Sequence, residues 1–268
     1  MTLAGHVHPA ARPANDRGPV DPAFRLPGVT LLLKRSASQQ MELDQLLAEQ
    51  RDPGSSNFRG WLTPEQFAGR FGASTADVGR LTSWLRSQGF SNVQVARSRT
   101  FVTFDATAAQ AGSAFGTEIR RYQVNGRMHF ANATAPSLPA SLAAITAGFL
   151  GLHDFRLEPQ FRSAPNPQMT FSGGVHEMAP DDFATIYDVA PLYAAGVDGT
   201  GQSIAVAGQT DINLSDIQAF RTKFNLSPPN LQQVPVPSRP DPGISSGDLP
   251  EASLDIEWAG AVARNASV

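Results

Sequence analysis

Glu251 and Asp255 stand four residues apart in the run Asp248-Leu249-Pro250-Glu251-Ala252-Ser253-Leu254-Asp255-Ile256-Glu257-Trp258. The run reads as a helix, and this spacing puts both carboxylates on one face, one turn apart. Like charges so placed disfavour a helix unless something uses them. One carboxylate can take a proton while its neighbour orients it and alters its affinity for that proton. Asp248 is placed to cap the helix, and Glu251 three residues later completes the start signal. Leu254, Trp258 and Ala261 are expected to form the stripe that docks the helix. Glu257 projects from another face and is expected to be a surface charge. For an arbitrary Glu-x-x-x-Asp a solvated acidic face is the better reading, so the flanks and the rest of the chain have to decide.

A retaining glycosidase also uses two carboxyls about 5 Å apart. Its carboxyls flank a sugar from opposite faces, whereas these two project from one helix, and no aromatic sugar platform is evident. The remaining candidates are weaker. His6-x-His8 sits in a stretch read as unstructured. His129, His153 and His176 lack a carboxylate or histidine at ligand spacing, which favours structural roles and no metal site. Trp61, Trp84 and Trp258 read as packing residues. Arg120-Arg121 reads either as a contact for an acidic partner domain or as a solvated strand edge.

The 268 residues are 41% hydrophobic with a net charge of −3, enough for two domains or for one and part of another. Without cysteine there is neither a disulfide nor a thiolate metal site. No apolar run approaches the roughly 18 residues of a membrane helix. The start of the chain lacks the pattern of a signal peptide. Charge is uneven: residues 29–160 carry 13 basic and 10 acidic side chains, residues 161–268 carry 5 and 12. A basic first half and an acidic second half suggest an intramolecular contact. The basic residues do not cluster with aromatics, which argues against nucleic acid.

Several elements must position the carboxylates. Residues 1–28 read as a flexible tail. Val29–Lys34 reads as a strand and Ser38–Gln50 as a helix. Thr63-Pro64-Glu65-Gln66 is a capping box with proline at the first helical position. Val78, Leu81 and Leu85 mark a helix that ends at Gly89. Strands are expected at Asn92–Ala96 and Thr100–Phe104, then a short helix from Thr107 to Gly116. Asn125-Gly126 joins a hairpin. This order argues for an α+β domain at 29–156, ferredoxin-like, with helices on an antiparallel sheet. Residues 157–178 read as a linker. In 179–268, strands at Ser203–Ala207 and Leu231–Val236 alternate with helices at Ser215–Phe224 and at the carboxylate pair. That alternation suggests a parallel α/β domain, of which the chain is expected to hold the N-terminal part.

At this point the residues resemble a known family. AGVDGTGQSIAVAGQTDI, Asp216-Ile217-x-x-Phe220, and Glu251-x-x-x-Asp255 followed by Ile256-Glu257 are similar to the start of the catalytic domain of the sedolisin family, the serine-carboxyl peptidases, in its kumamolisin-like branch. WLTPEQFAGRFG, DVGRLTSWLRSQGF, AFGTEIRRYQVNG and ITAGFLGLHDF resemble the family's activation prosegment. The resemblance covers roughly residues 20–268, and it is the order and spacing of the motifs that make it specific.

The resemblance implies an acid-active endopeptidase, exported as a zymogen, with a subtilisin-like α/β domain and a Ser-Glu-Asp triad acting on protein or peptide substrates. Glu251 would be the general base and Asp255 its orienting partner. The family's serine, in a Gly-Thr-Ser segment, its oxyanion-hole aspartate and its calcium site lie further downstream, with no counterpart in this chain. Gly208-Gln209 stands where some relatives carry a glutamate wired to the triad. The expectation is a prosegment that inhibits and assists folding, a processing site in 157–178, calcium bound beyond residue 268, and no cleavage by these residues alone. The alternative is a non-catalytic inhibitor or folding module acting on a related peptidase.

Overall fold

The computed structural model describes residues 1–156, 178–236 and 241–268. The linker expected at 157–178 lies, except for Met178, outside the described residues. Contacts divide the chain into two units, broadly Met1–Arg156 and the residues after it.

In the first unit the elements are β1 (Asp16–Pro19), β2 (Arg25–Leu33), α1 (Ala37–Glu49), α2 (Pro64–Phe71), α3 (Thr75–Ser87), β3 (Ser91–Val95), β4 (Phe101–Thr107), α4 (Ala108–Phe115), β5 (Ile119–Val124), β6 (Arg127–Asn132), α5 (Ala140–Ala143) and β7 (Thr146–Leu150). The helix starts are local chemistry. Ser36 with Gln39, Thr63 with Gln66 and Thr107 with Gln110 each form a reciprocal capping box, satisfying amides that no helical carbonyl reaches. Leu62 and Phe67, flanking the Thr63 cap, pack with Leu43, Leu46 and Phe71. Leu62 takes the inward position, so Trp61 is left 71% exposed and is not the packing residue expected.

β3, β4, β2 and β7 form an antiparallel sheet in that order. With its helical crossovers this is the connectivity of a ferredoxin-like βαββαβ unit. Its core gathers Leu26, Leu31, Leu81, Leu85, Val102 and Phe104 around Phe115. Phe115 meets Phe149 edge-on at 4.9 Å and Phe90 at 5.4 Å. β1, β5 and β6 form a second antiparallel sheet. Asn125 and Gly126 both have positive φ, as a type I′ hairpin turn demands.

The first 28 residues are not a loose tail. Leu3 and Val20 are buried, β1 pairs with β5, and the Leu3 amide donates to Pro136 O at 2.8 Å. Arg120 explains part of this ordering. It is not a solvated edge position, because its Nε donates to Asp16 at 2.7 Å and its Nη1 to Glu118, whereas Arg121 beside it is exposed. The histidine reading also changes: His129 Nδ1 lies 3.3 Å from the Asp154 carboxylate, a partner 25 residues away in sequence.

The second unit holds α6 (Pro180–Ile186), α7 (Ala190–Ala194), α8 (Leu214–Lys223) and α9 (Leu249–Val262). The strand expected at Ser203–Ala207 reduces to a parallel bridge, Ser203 with Ser267. The Ile204 amide donates to Ser267 O at 2.8 Å. Val268 donates to Asn230 O and accepts from the Gln232 amide, each at 2.9 Å, so among the described residues the 231–236 segment is paired at its start. A ladder needs partners along its length, and among the described residues the backbone pairing of these two segments is confined to Ser267 and Val268.

Candidate active site

α9 carries both predicted carboxylates. Its first turn is fixed at Ser245, whose carbonyl accepts the Leu249 amide at 2.9 Å and whose hydroxyl donates to Asp248 Oδ2 at 2.7 Å. Asp248 does occupy the position before the helix, but its side chain binds Ser245 instead of capping the helix amides. Pro250 in the first turn needs no amide partner.

The docking stripe is only in part the one expected. Leu249, Ala252 and Ile256 pack with Ile212, Ile217 and Leu231; of the expected stripe Ala261 is buried, and Leu254 and Trp258 lie outside that cluster. Trp258 instead meets Phe183 edge-on at 5.8 Å. The C-terminal half of α9 is anchored by a residue that sequence reading missed. Arg221, 6% exposed, projects from α8 and donates to Gly260 O at 3.0 Å, to Arg264 O at 2.9 Å and to Ser227 O. A guanidinium suits this end of a helix, where carbonyls lack partners and the dipole is negative. A Cβ at Gly260 would lie 2.9 Å from Arg221 Nη1, so the close approach depends on that glycine.

Glu251 is half-buried and Asp255 exposed, and neither belongs to the cluster that Ala252 and Ile256 join. Among the described residues no hydrogen bond joins the two carboxyls. What the arrangement supplies is a pair of carboxylates on a rigid helix with its axis fixed at both ends. Such a pair can take up a proton from a hydroxyl brought against it. Glu257 is not a plain surface charge. It is half-buried, and burial, with the Asp216 carboxylate beside it, pushes its pKa up to about 7. No cluster of three or more histidine, aspartate or glutamate side chains suited to a metal ion occurs among the described residues. None of their helices is long and apolar enough to cross a membrane.

Comparison with known proteins adds a second line of argument. Residues 13–155 match the family model described as "Pro-kumamolisin, activation domain". Xanthomonalisin from Xanthomonas sp. (strain T-22) is 32% identical over 198 residues, 70% of this chain and 24% of that protein. Sedolisin from Pseudomonas sp. (strain 101) is 30% identical over 214 residues, 78% of this chain and 35% of that protein. Kumamolisin from Bacillus sp. (strain MN-32) is 28% identical over 276 residues, 99% of this chain and 48% of that protein. The chain therefore spans between a quarter and a half of these relatives.

Proposed function

The chain belongs to the sedolisin family of peptidases, with its activation domain in the first unit, and on that premise we propose that it is the zymogen portion of an acid-active serine-carboxyl endopeptidase. The first unit is the prosegment, and the second begins a subtilisin-like catalytic domain. The parallel pairing of Ser203 with Ser267, spanned by α8 and α9, supports that α/β reading.

The observation that carries the catalytic reading is that Glu251 and Asp255 share one face of an anchored helix. Glu251 takes the proton of a serine hydroxyl as that oxygen attacks a peptide carbonyl, and returns it to the leaving amine. Asp255 orients Glu251 and stabilises its protonated form. The choice of base follows from acidity. An imidazole of pKa about 6.5 is already protonated in acid, whereas a glutamate near about 4.3 remains a base. The serine has no counterpart within these 268 residues, so they supply the base and its orienter and are not expected to cleave peptides alone. Calcium, if the whole enzyme carries it, is expected to be held by residues outside this chain.

The prosegment inhibits and assists folding by packing on the catalytic domain, and acid weakens that attraction as carboxylates of the second half take up protons. Export is the expectation for such a zymogen. The coding sequence beyond Val268 tests the reading. An open frame containing a Gly-Thr-Ser segment supports it. A stop there replaces it with the second reading, a binding module that inhibits or helps fold a related peptidase. Acid proteolysis by purified 1–268 would contradict the assignment of base and orienter without nucleophile.

A further inference from the structure

We propose that the imidazoles gathered around Phe155 form an acid-operated latch on the first ten residues, which they hold down when neutral and release when protonated. The proposal concerns the first unit alone and does not depend on where the catalytic serine lies.

Three histidines from three parts of the chain meet at one ring. His8 stacks on Phe155 with centroids 4.0 Å apart and planes 9° from parallel. His129, on β6, stacks on the same ring at 4.3 Å. His153 lies 5.1 Å from His8. The Ala10 amide donates to His8 Nδ1 at 3.2 Å, so this nitrogen is an acceptor and the ring is neutral. An imidazolium has no acceptor nitrogen, and a proton on Nδ1 breaks that bond. His153 Nδ1 is buried without a partner.

The groups facing one another decide which side moves. His8 faces His129 and His153, and no carboxylate among the described residues pairs with it. His129 faces Asp154, which also accepts the Phe130 amide at 2.9 Å. His153 faces His8 and Asp154. A proton on His8 therefore finds no carboxylate to pair with, whereas His129 already lies against Asp154. Burial, then the neighbouring imidazole, lowers the pKa of both His8 and His153, with Asp154 and the Phe155 backbone opposing the shift at His153. Both groups bind a proton less readily in the closed state than in the open one. The closed state is thus fully stable above about pH 6.5 and loses stability as pH falls below it.

The arm is otherwise held at residues 1–3, where Leu3 is buried, its amide donates to Pro136 O and the Met1 carbonyl accepts the Leu138 amide, and at His6. Asn132 Nδ2 donates to the His6 carbonyl at 2.7 Å, and the His6 ring lies on Gly148, where a Cβ would sit 2.4 Å from it. Beneath lies a cavity of about 180 Å³ lined by His6, His8, Asn132, Phe149 and His153. Asn132 Oδ1 is buried and unpartnered, so opening brings water to a polar atom that lacks a partner when the arm is closed.

The test is amide hydrogen exchange on the whole 268-residue chain, corrected for intrinsic rates, with the histidine ring signals titrated in parallel. Between pH 7.5 and 5.5 the protection of the Leu3 and Ala10 amides should fall about fivefold or more, the effect of losing one ordinary hydrogen bond. Protection in β2 and β4 should stay constant. In His8→Asn the amide oxygen still accepts from Ala10 but takes no proton, so protection should no longer depend on pH. Gly148→Ala, which crowds His6, should open the arm at every pH. The proposal is overturned if wild-type protection does not change, or if His8→Asn loses it over the same range. A wild-type His8 ring that titrates above about pH 6.5 overturns it whatever the variants do.

Discussion

The Arg221 guanidinium donates to the Gly260 carbonyl at 3.0 Å, so a buried cation from one helix closes the end of the helix that bears Glu251 and Asp255. Replacing it with methionine keeps the volume but strands the carbonyls of Ser227, Gly260 and Arg264. Arg221→Met should destabilise the second unit by about 3 kcal/mol. Arg221→Lys should recover little, because one ammonium cannot address three separate carbonyls in the same geometry. Urea midpoints read from amide exchange in α8 and α9 measure both, and a loss below about 0.5 kcal/mol for the methionine variant would refute the anchoring role.

Glu257 gives the second unit a stability that favours acid. Its folded pKa of about 7 lies above the ordinary glutamate value because of burial and Asp216. The unfolded chain gives up the proton first, so stability is fully present below about pH 4.5 and is lost as pH rises toward 7. Glu257→Gln should remove this slope, stabilising the unit at pH 7 by about 1–2 kcal/mol after solvent screening and changing little at pH 4. An unchanged slope in the variant would place the titration elsewhere.

Glu251→Gln and Asp255→Asn separate chemistry from stability. Neither side chain belongs to the packed cluster of α9, so folding stability should change by about 0.5 kcal/mol or less. On the proposed function, in a longer polypeptide that supplies the serine, Glu251→Gln should lower kcat by about 10³-fold or more with little change in KM, since base catalysis and its orientation act in the transition state. Loss of folding instead of turnover would return both residues to a structural role.

Phe115 is fully buried and meets Trp84, Phe90, Phe104 and Phe149. Phe115→Ala should cost about 3–5 kcal/mol. As that ring joins α4 to β4 and β7, the first unit should lose its cooperative thermal transition, which calorimetry records directly.

What could be read from the sequence was local. Thr63 and Gln66, or Thr107 and Gln110, are three residues apart, and their capping boxes need nothing from the rest of the fold. Asn125-Gly126 likewise fixes its own turn. The spacing of Glu251 and Asp255 survived for the same reason, since a helix places both. The ordered start of the chain was missed because Leu3 and Val20 are isolated apolar residues without a period. The Asp16–Arg120 pair that helps order β1 spans 104 residues. Arg221 reads as an exposed helix charge until Gly260 and Arg264 are brought against it. Glu257 was misjudged because its environment is α8, not its own helix. The strand at Ser203–Ala207 was overread: its apolar run is real, but only the residues opposite it decide how much ladder forms.

The stacking of His8 on Phe155 joins points nearly at opposite ends of the first unit. β2 likewise lies between β4 and β7, so its last neighbour is among the final residues of the unit to be made. On the ribosome, then, the early segments emerge with exposed strand edges and wait for partners that do not yet exist. Closing so long a loop is slow but adds little entropic cost once the last strand arrives. The first unit should therefore fold in one late step after synthesis passes Phe155, and a nascent chain stalled before that point should remain open to proteases.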